Sequence, residues 1–121
     1  MVRGDAIWIV NADHWPRAYL RAELCERGYD AIGFETLKDA LARLALGHGA
    51  RPALLVLDLH GQVLGDDDRR ALSGSGVPIL AIVDAAPPAG EPPAPLAGTL
   101  HRPLTIGAIA DAVDRLPVRR P

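Results

Sequence analysis

The chain has a single cysteine, Cys25, in 121 residues and therefore no internal disulfide. That usage suits a reducing compartment, and a cytoplasmic location is expected. There is no basic surplus either: Lys and Arg number 13 against 15 Asp and Glu, which leaves no electrostatic footprint for nucleic acid or for an anionic membrane. Long hydrophobic runs are missing. The apolar stretch at residues 6–10 soon meets Asn11, Asp13 and His14, too short for a secretory core or a membrane span. No Gly-rich phosphate loop follows that stretch, which argues against dinucleotide binding. Ser73 and Ser75 lack a Gly-x-Ser-x-Gly elbow and a paired base, so hydrolytic serine chemistry has no foundation. There is no internal repeat. What remains is the length of one domain, residues 1–121, able to bury a core without disulfides or a structural metal.

Three apolar runs, residues 6–10, 53–57 and 77–83, lack polar alternation. Strands that read this way are covered on both faces, as in a parallel sheet. The first ends in Asn11-Ala12-Asp13 and the second in Asp58, which places polar chemistry at the carboxyl ends of strands, where open α/β sheets bind ligands.

Helical patterns separate the runs. Residues 16–27 put Leu20 and Leu24 on one face, with Gly28 as a C-terminal cap. A short strand at 29–34 follows. Thr36 and Asp39 form a capping-box pattern with Asp in place of Glu, and Leu37, Leu41 and Leu44 extend a stripe until Gly47-His48-Gly49. A short helix is expected from Asp66 to Leu72, truncated by Ser73-Gly74-Ser75-Gly76. Leu100 is expected to end the fifth strand, and the last helix begins near Thr105 with Ile106, Ile109, Val113 and Leu116 on its packing side. Alternating strands and helices predict a doubly wound βαβ architecture. One segment departs from it: residues 85–95 hold five prolines where a helix should join the fourth and fifth strands. Proline removes the amide donor and clashes with the preceding turn, so an extended Pro-rich loop is expected there. No basic residue flanks those prolines, against their being a Pro-rich ligand for a partner.

A polar cluster after the first strand, a lone Asp58 after the third and Arg102-Pro103 after the fifth stand in the order of the receiver domain of bacterial two-component response regulators, which this chain resembles from Ile7 to Leu116. The resemblance implies a five-stranded parallel sheet in the order 2-1-3-4-5, with the helix before the last strand replaced by the Pro-rich loop. It implies that Asp58 occupies the phosphoacceptor position and that histidine kinases or phosphotransfer proteins are the partners. It implies a pocket of Asn11, Ala12, Asp13, His60, Val83, Asp84 and Arg102, and no enzyme of its own.

Four of the family's five signature positions are altered. The acidic pair that holds a divalent cation falls on Asn11 and Ala12, leaving Asp58 with Asp13, one residue late, as the carboxylates for a weak or absent Mg²⁺ site. The family's Lys falls on Arg102, whose planar fork could form a standing salt bridge with Asp58 in place of the metal. The switch positions fall on Val83, which has no hydroxyl, and Thr99, which is no aromatic rotor; a one-residue slip would put Asp84 at the first of them. Phosphorylation would then have little with which to bias two conformations, and a phosphorylation-independent pseudo-receiver, a protein-interaction module, is the alternative function. A small flavodoxin-like metal-dependent phosphohydrolase is a more distant one.

His14, His60 and His101 fall on the same rim as Asp58 and Asp13 and are weighed as a transition-metal or pH-sensing cluster against ordinary solvated loop residues. Asp66-Asp67-Asp68 is read as a dipole-complementing helix start rather than a cation clamp. Trp8 is expected in the core and Trp15 as a lid on the Asp58 pocket or a contact residue.

Overall fold

The computed structural model describes residues 6–47, 51–84 and 92–118. Five strands, β1 (Ala6–Val10), β2 (Asp30–Phe34), β3 (Leu54–Asp58), β4 (Ile79–Val83) and β5 (Leu96–His101), pair in parallel in the order β2-β1-β3-β4-β5. Helices α1 (His14–Glu26), α2 (Leu37–Ala45), α3 (Asp66–Ser75) and α4 (Ile106–Asp114) cover both faces. The chain therefore has the doubly wound parallel sheet that the unalternating apolar runs predict, in the 2-1-3-4-5 order that the resemblance implies.

The reason those runs do not alternate is visible in the packing. Ile7, Ile9, Leu54, Val56, Leu80 and Ile82 face α1 and α4, and Trp8, Val10, Leu55, Leu57, Ile79 and Ala81 face α2 and α3. Successive side chains point to opposite faces, but both faces are dry, so every position is apolar. β5 is the edge strand and is largely exposed. Its pairing with β4 shifts register between Ile79 and Leu80, placing Gly98 opposite Leu80, where an added Cβ would lie 3.3 Å from a Leu80 methyl.

Local chemistry sets the helix ends. Thr36 Oγ1 accepts from Asp39 N at 3.1 Å and Thr105 Oγ1 from Ala108 N at 3.0 Å, each satisfying an orphan donor of its helix. At α3, Asp68 Oδ2 accepts from Gly65 N at 3.0 Å and Asp67 pairs with Arg70, so the acidic triplet is a helix start. The expected truncation of that helix after Leu72 is corrected: α3 runs on to Ser75, because Gly76 adopts φ 71° and closes it from the left-handed region, while Ser75 Oγ donates to Leu72 O. β5 extends one residue past the expected end, to His101. Of the Pro-rich stretch, residues 85–91 lie outside the described residues, and the expected loop there is not described by the structure; Pro95 O accepts from Ile79 N at 2.8 Å. The Ala94–Pro95 and Arg102–Pro103 bonds are cis.

Arg27 clamps α1 to α4. Its guanidinium donates to Glu23, Asp111 and Asp114, and Tyr29 Oη donates to Asp114 at 2.7 Å. These carboxylates raise the Arg27 pKa, Asp111 foremost and Glu23 and Asp114 after it. Beneath the clamp, Leu24 of α1 is fully buried in the α1/α4 face of the core. Leu24→Ala is expected to lower stability by about 3 kcal/mol, the usual cost of a buried leucine cavity. Urea unfolding followed by circular dichroism measures this, and a loss below about 1 kcal/mol would contradict the packing described.

Candidate functional site

With strand order 2-1-3-4-5 the connections leave in opposite directions from β1 and β3, so their carboxyl ends frame a crevice. Asn11 follows β1 directly and Asp58 ends β3. β5 reaches the same edge, and Arg102 follows it, its amide donating to Val83 O at 2.9 Å. The parallel register thus delivers residues distant in sequence to one point.

Asp58 is 2% exposed and each of its oxygens accepts twice. Oδ1 takes His60 N at 3.0 Å and Arg102 Nη1 at 2.9 Å; Oδ2 takes Asn11 Nδ2 at 3.2 Å and Arg102 Nη2. An ionised carboxylate has about four acceptor positions, so the chain fills all of them itself. The His60 amide bond is an Asx-type turn, and Gly61, at φ 76°, serves the following Leu59–Gln62 turn, where a Cβ would sit 3.1 Å from the Ala12 methyl.

The contacts continue outward. Asn11 Oδ1 accepts from Asp13 N at 2.8 Å while its Nδ2 donates to Asp58, so the side-chain amide orientation is fixed on both sides, and the backbone O of Asn11 accepts from Arg17 Nη1 at 2.7 Å. Arg102 Nη1 lies 3.8 Å from Asp84 Oδ1, and Asp84 Oδ2 lies 3.2 Å from His60 Nδ1. Arg102, Asp84, His60 and Asp58 therefore close a ring in which one guanidinium faces two carboxylates. The hydrogen bonds to Asp58 raise the Arg102 pKa against the opposing effect of its burial; the guanidinium is positive throughout the accessible pH range.

The sequence-selected residues divide. Asn11, His60, Asp84 and Arg102 gather on Asp58, and Val83 contributes its backbone carbonyl to Arg102 from a buried strand end. Ala12 and Asp13 sit at the rim, Asp13 exposed and engaged through its amide. Thr99 lies on the exposed edge strand opposite Ala81, away from these contacts. His14 is near Arg17, His60 is on Asp84, and His101 is exposed at the end of β5. Among the described residues no cluster of three or more His, Cys, Asp or Glu side chains could hold a metal ion. The donor set does not fit Mg²⁺: Ala12 offers nothing, Asn11 Oδ1 is taken by Asp13 N, and the Asp58 oxygens are bound to Arg102.

Two further residues matter. Arg17 holds Asn11, and Tyr19 stacks on Trp15 with centroids 5.9 Å apart. Their only signal in the sequence is placement on the early turns of α1.

A doubly wound α/β domain with a self-satisfied carboxylate at its topological switch point is the class defined by these observations. Comparison with solved structures narrows the fold. The chain is similar to a response regulator receiver protein of Pseudomonas putida (22% identity, TM-score 0.70, covering 95% of this chain and 98% of that one). It is similar to the N-terminal domain of a response regulator/sensory box/GGDEF three-domain protein of Carboxydothermus hydrogenoformans (19%, TM-score 0.74, 91% of each). A chemotaxis response regulator of Vibrio cholerae matches at 18% identity and TM-score 0.70, over 92% of this chain and 97% of that one. At these identities the likeness is one of fold. No protein-family model matches the sequence, and no curated protein does.

Removing one partner of the Asp58–Arg102 pair should have unequal effects. Arg102→Met leaves a buried carboxylate without a cation and is expected to cost about 2–3 kcal/mol, below the fully buried limit because the Arg102 side chain is 33% exposed. Asp58→Asn leaves a guanidinium that reaches water and Asp84, and is expected to cost about 1 kcal/mol. Denaturant titrations of both variants and of the double variant test this; equal costs with no coupling would contradict a buried pair.

Proposed function

We propose that this chain is a receiver-type signalling module of a two-component system whose Asp58 stands at the phosphoacceptor address but is held shut by Arg102. The module then acts through protein contacts, with a histidine kinase, a phosphotransfer protein or another regulatory protein as partner. The receiver part is supported by the structural likeness together with the position of Asp58 at the switch point. The shut part is supported by one observation above the others, the bidentate grip of Arg102 on both Asp58 oxygens.

The chemistry explains why that grip matters. Phosphoryl transfer to a carboxylate requires a free oxygen in line with the donor phosphorus and positive charge beside the equatorial oxygens. Here the attacking oxygen would have to leave two charge-assisted hydrogen bonds, among the stronger kind, and Mg²⁺ would bind weakly for want of anionic donors. Arg102 already supplies the neutralising charge that the metal and the incoming phosphoryl group would otherwise share. Val83 has no hydroxyl to follow a phosphoryl group, so a modified Asp58 would have little differential interaction with two states. Hydrolysis is not part of the proposal: the imidazole nearest Asp58, that of His60, is engaged with Asp84.

Incubation with acetyl phosphate and Mg²⁺, followed by intact-mass measurement, is the test. The wild-type chain is expected to carry no phosphoryl adduct. Asn11→Asp combined with Ala12→Asp and Arg102→Lys is expected to gain one, lost again when Asp58→Asn is added. Labelling of wild-type Asp58 would overturn the shut state and leave an ordinary phosphoacceptor.

A further inference from the structure

Between α1 and α4 lies an open cavity of about 340 Å³. Ile9, Val56 and Ile82 lie beneath it in the packed core, its accessible apolar walls are Pro16, Leu104 and Ile106, and its inner end is Asn11, Asp58 and Arg102. At its mouth stand Trp15, 64% exposed, and Tyr19, 59% exposed, stacked with ring planes 27° apart. Two large aromatic side chains stacked on one another thus stand largely in water beside the opening, with the His14 ring edge-on to Trp15.

We infer that this cavity is a binding site for a small planar aromatic molecule carrying a carbonyl or carboxylate oxygen. The size falls in the range of small-ligand pockets, and the wall is apolar with polar groups confined to one end. The cavity lies between two helices, so an occupant must be thin enough to enter between them, whereas a docked helix would lie across the mouth alone. At the inner end the Asp58 oxygens are consumed by Arg102, Asn11 and the His60 amide. The guanidinium carries five N–H donors, of which Asp58 takes two, so the end of the cavity offers donors. A ligand oxygen is the complement. Stacking on Trp15 and Tyr19 would cover the ring face that remains outside.

The placement gives the site a regulatory role. It rests on the reading of Asp58 as shut: an acceptor oxygen that competes for Arg102 would loosen the grip on Asp58, so ligand would provide the input that a phosphoryl group provides elsewhere. Binding itself does not require that reading, and the two can fail separately, since phosphoryl labelling tests the first and titration tests the second.

The probe is 1-naphthoate, with naphthalene and acetate as controls lacking the oxygen or the ring, titrated into the full chain and followed by ¹⁵N-correlated NMR. The chain has two tryptophans, Trp8 and Trp15, on opposite faces of the sheet, so the indole resonances are an internal control. Saturable movement of the Trp15 indole and the Arg102 guanidinium, with Trp8 still, is expected, and naphthalene and acetate should each bind at least about tenfold more weakly. Leu104→Trp fills the cavity and should abolish binding. Should that variant not fold, Trp15→Ala with Tyr19→Ala changes only exposed residues and should weaken binding about tenfold. No saturable shift, equal affinity for naphthalene, or unchanged affinity in the aromatic double variant would overturn the proposal. So would ligand-free, concentration-dependent shifts of Trp15, which would assign the rim to a second copy of the chain.

Discussion

A carboxylate withdrawn from water needs a cation or a full set of donors beside it, and Asp58 has both. Its pairing with Arg102 is the contact on which the functional edge depends. The two residues belong to β3 and to the turn after β5, so their meeting requires β4 to lie between with its end level with theirs. Arg102 N on Val83 O and Leu59 N on Ile82 O show that it does. Asn11 brings β1 into the same contact from the other side. A buried ion pair adds little net stability, because desolvation offsets most of the attraction. Its effect here is specificity: it fixes which oxygens of Asp58 are available, and leaves none.

The same edge shows how one sheet serves two chemistries. The α2/α3 face packs Trp8, Phe34 and Leu72 and carries no titratable group of the site, although a cavity lined by Trp8, Leu41, Leu44 and Ala71 opens between its helices. The α1/α4 face is closed around Leu24 and clamped by Arg27, yet opens toward Asn11 and Arg102 where α1 begins. α1 therefore has a packed C-terminal half and an N-terminal half whose aromatics face solvent. That division has no structural use in the described residues, which is what gives the cavity its interest.

Much of the fold was legible in the sequence because it follows from short-range periodicity. Runs such as residues 6–10 and 53–57 read as strands dry on both sides, and Thr36 and Thr105 announced their helices through hydroxyls placed to meet orphan amides. The end of α3 was misjudged because two glycines and two serines read as a breaker, whereas only Gly76 takes the left-handed conformation that stops the helix. At the site, the chemical types at positions 11, 12, 58, 83 and 102 were readable one by one. Their mutual geometry was not: nothing in the spacing says that Arg102 takes both oxygens of one carboxylate rather than one, or that Asn11 turns its amide nitrogen inward.

By itself the sequence determined which side chains exist at each strand end, and hence which chemistry is absent: no second carboxylate at position 12, no hydroxyl at 83. Those are properties of residue identity and survive any packing. Only the tertiary structure decided that the four acceptor positions of Asp58 are filled from within, that His60 turns to Asp84, and that Trp15 and Tyr19 stand over an open cavity. The reason is physical. Hydrogen-bond satisfaction is a property of three-dimensional neighbours, and the neighbours of Asp58 come from 47 residues before it and 44 after it, brought together by strand register rather than by any local code.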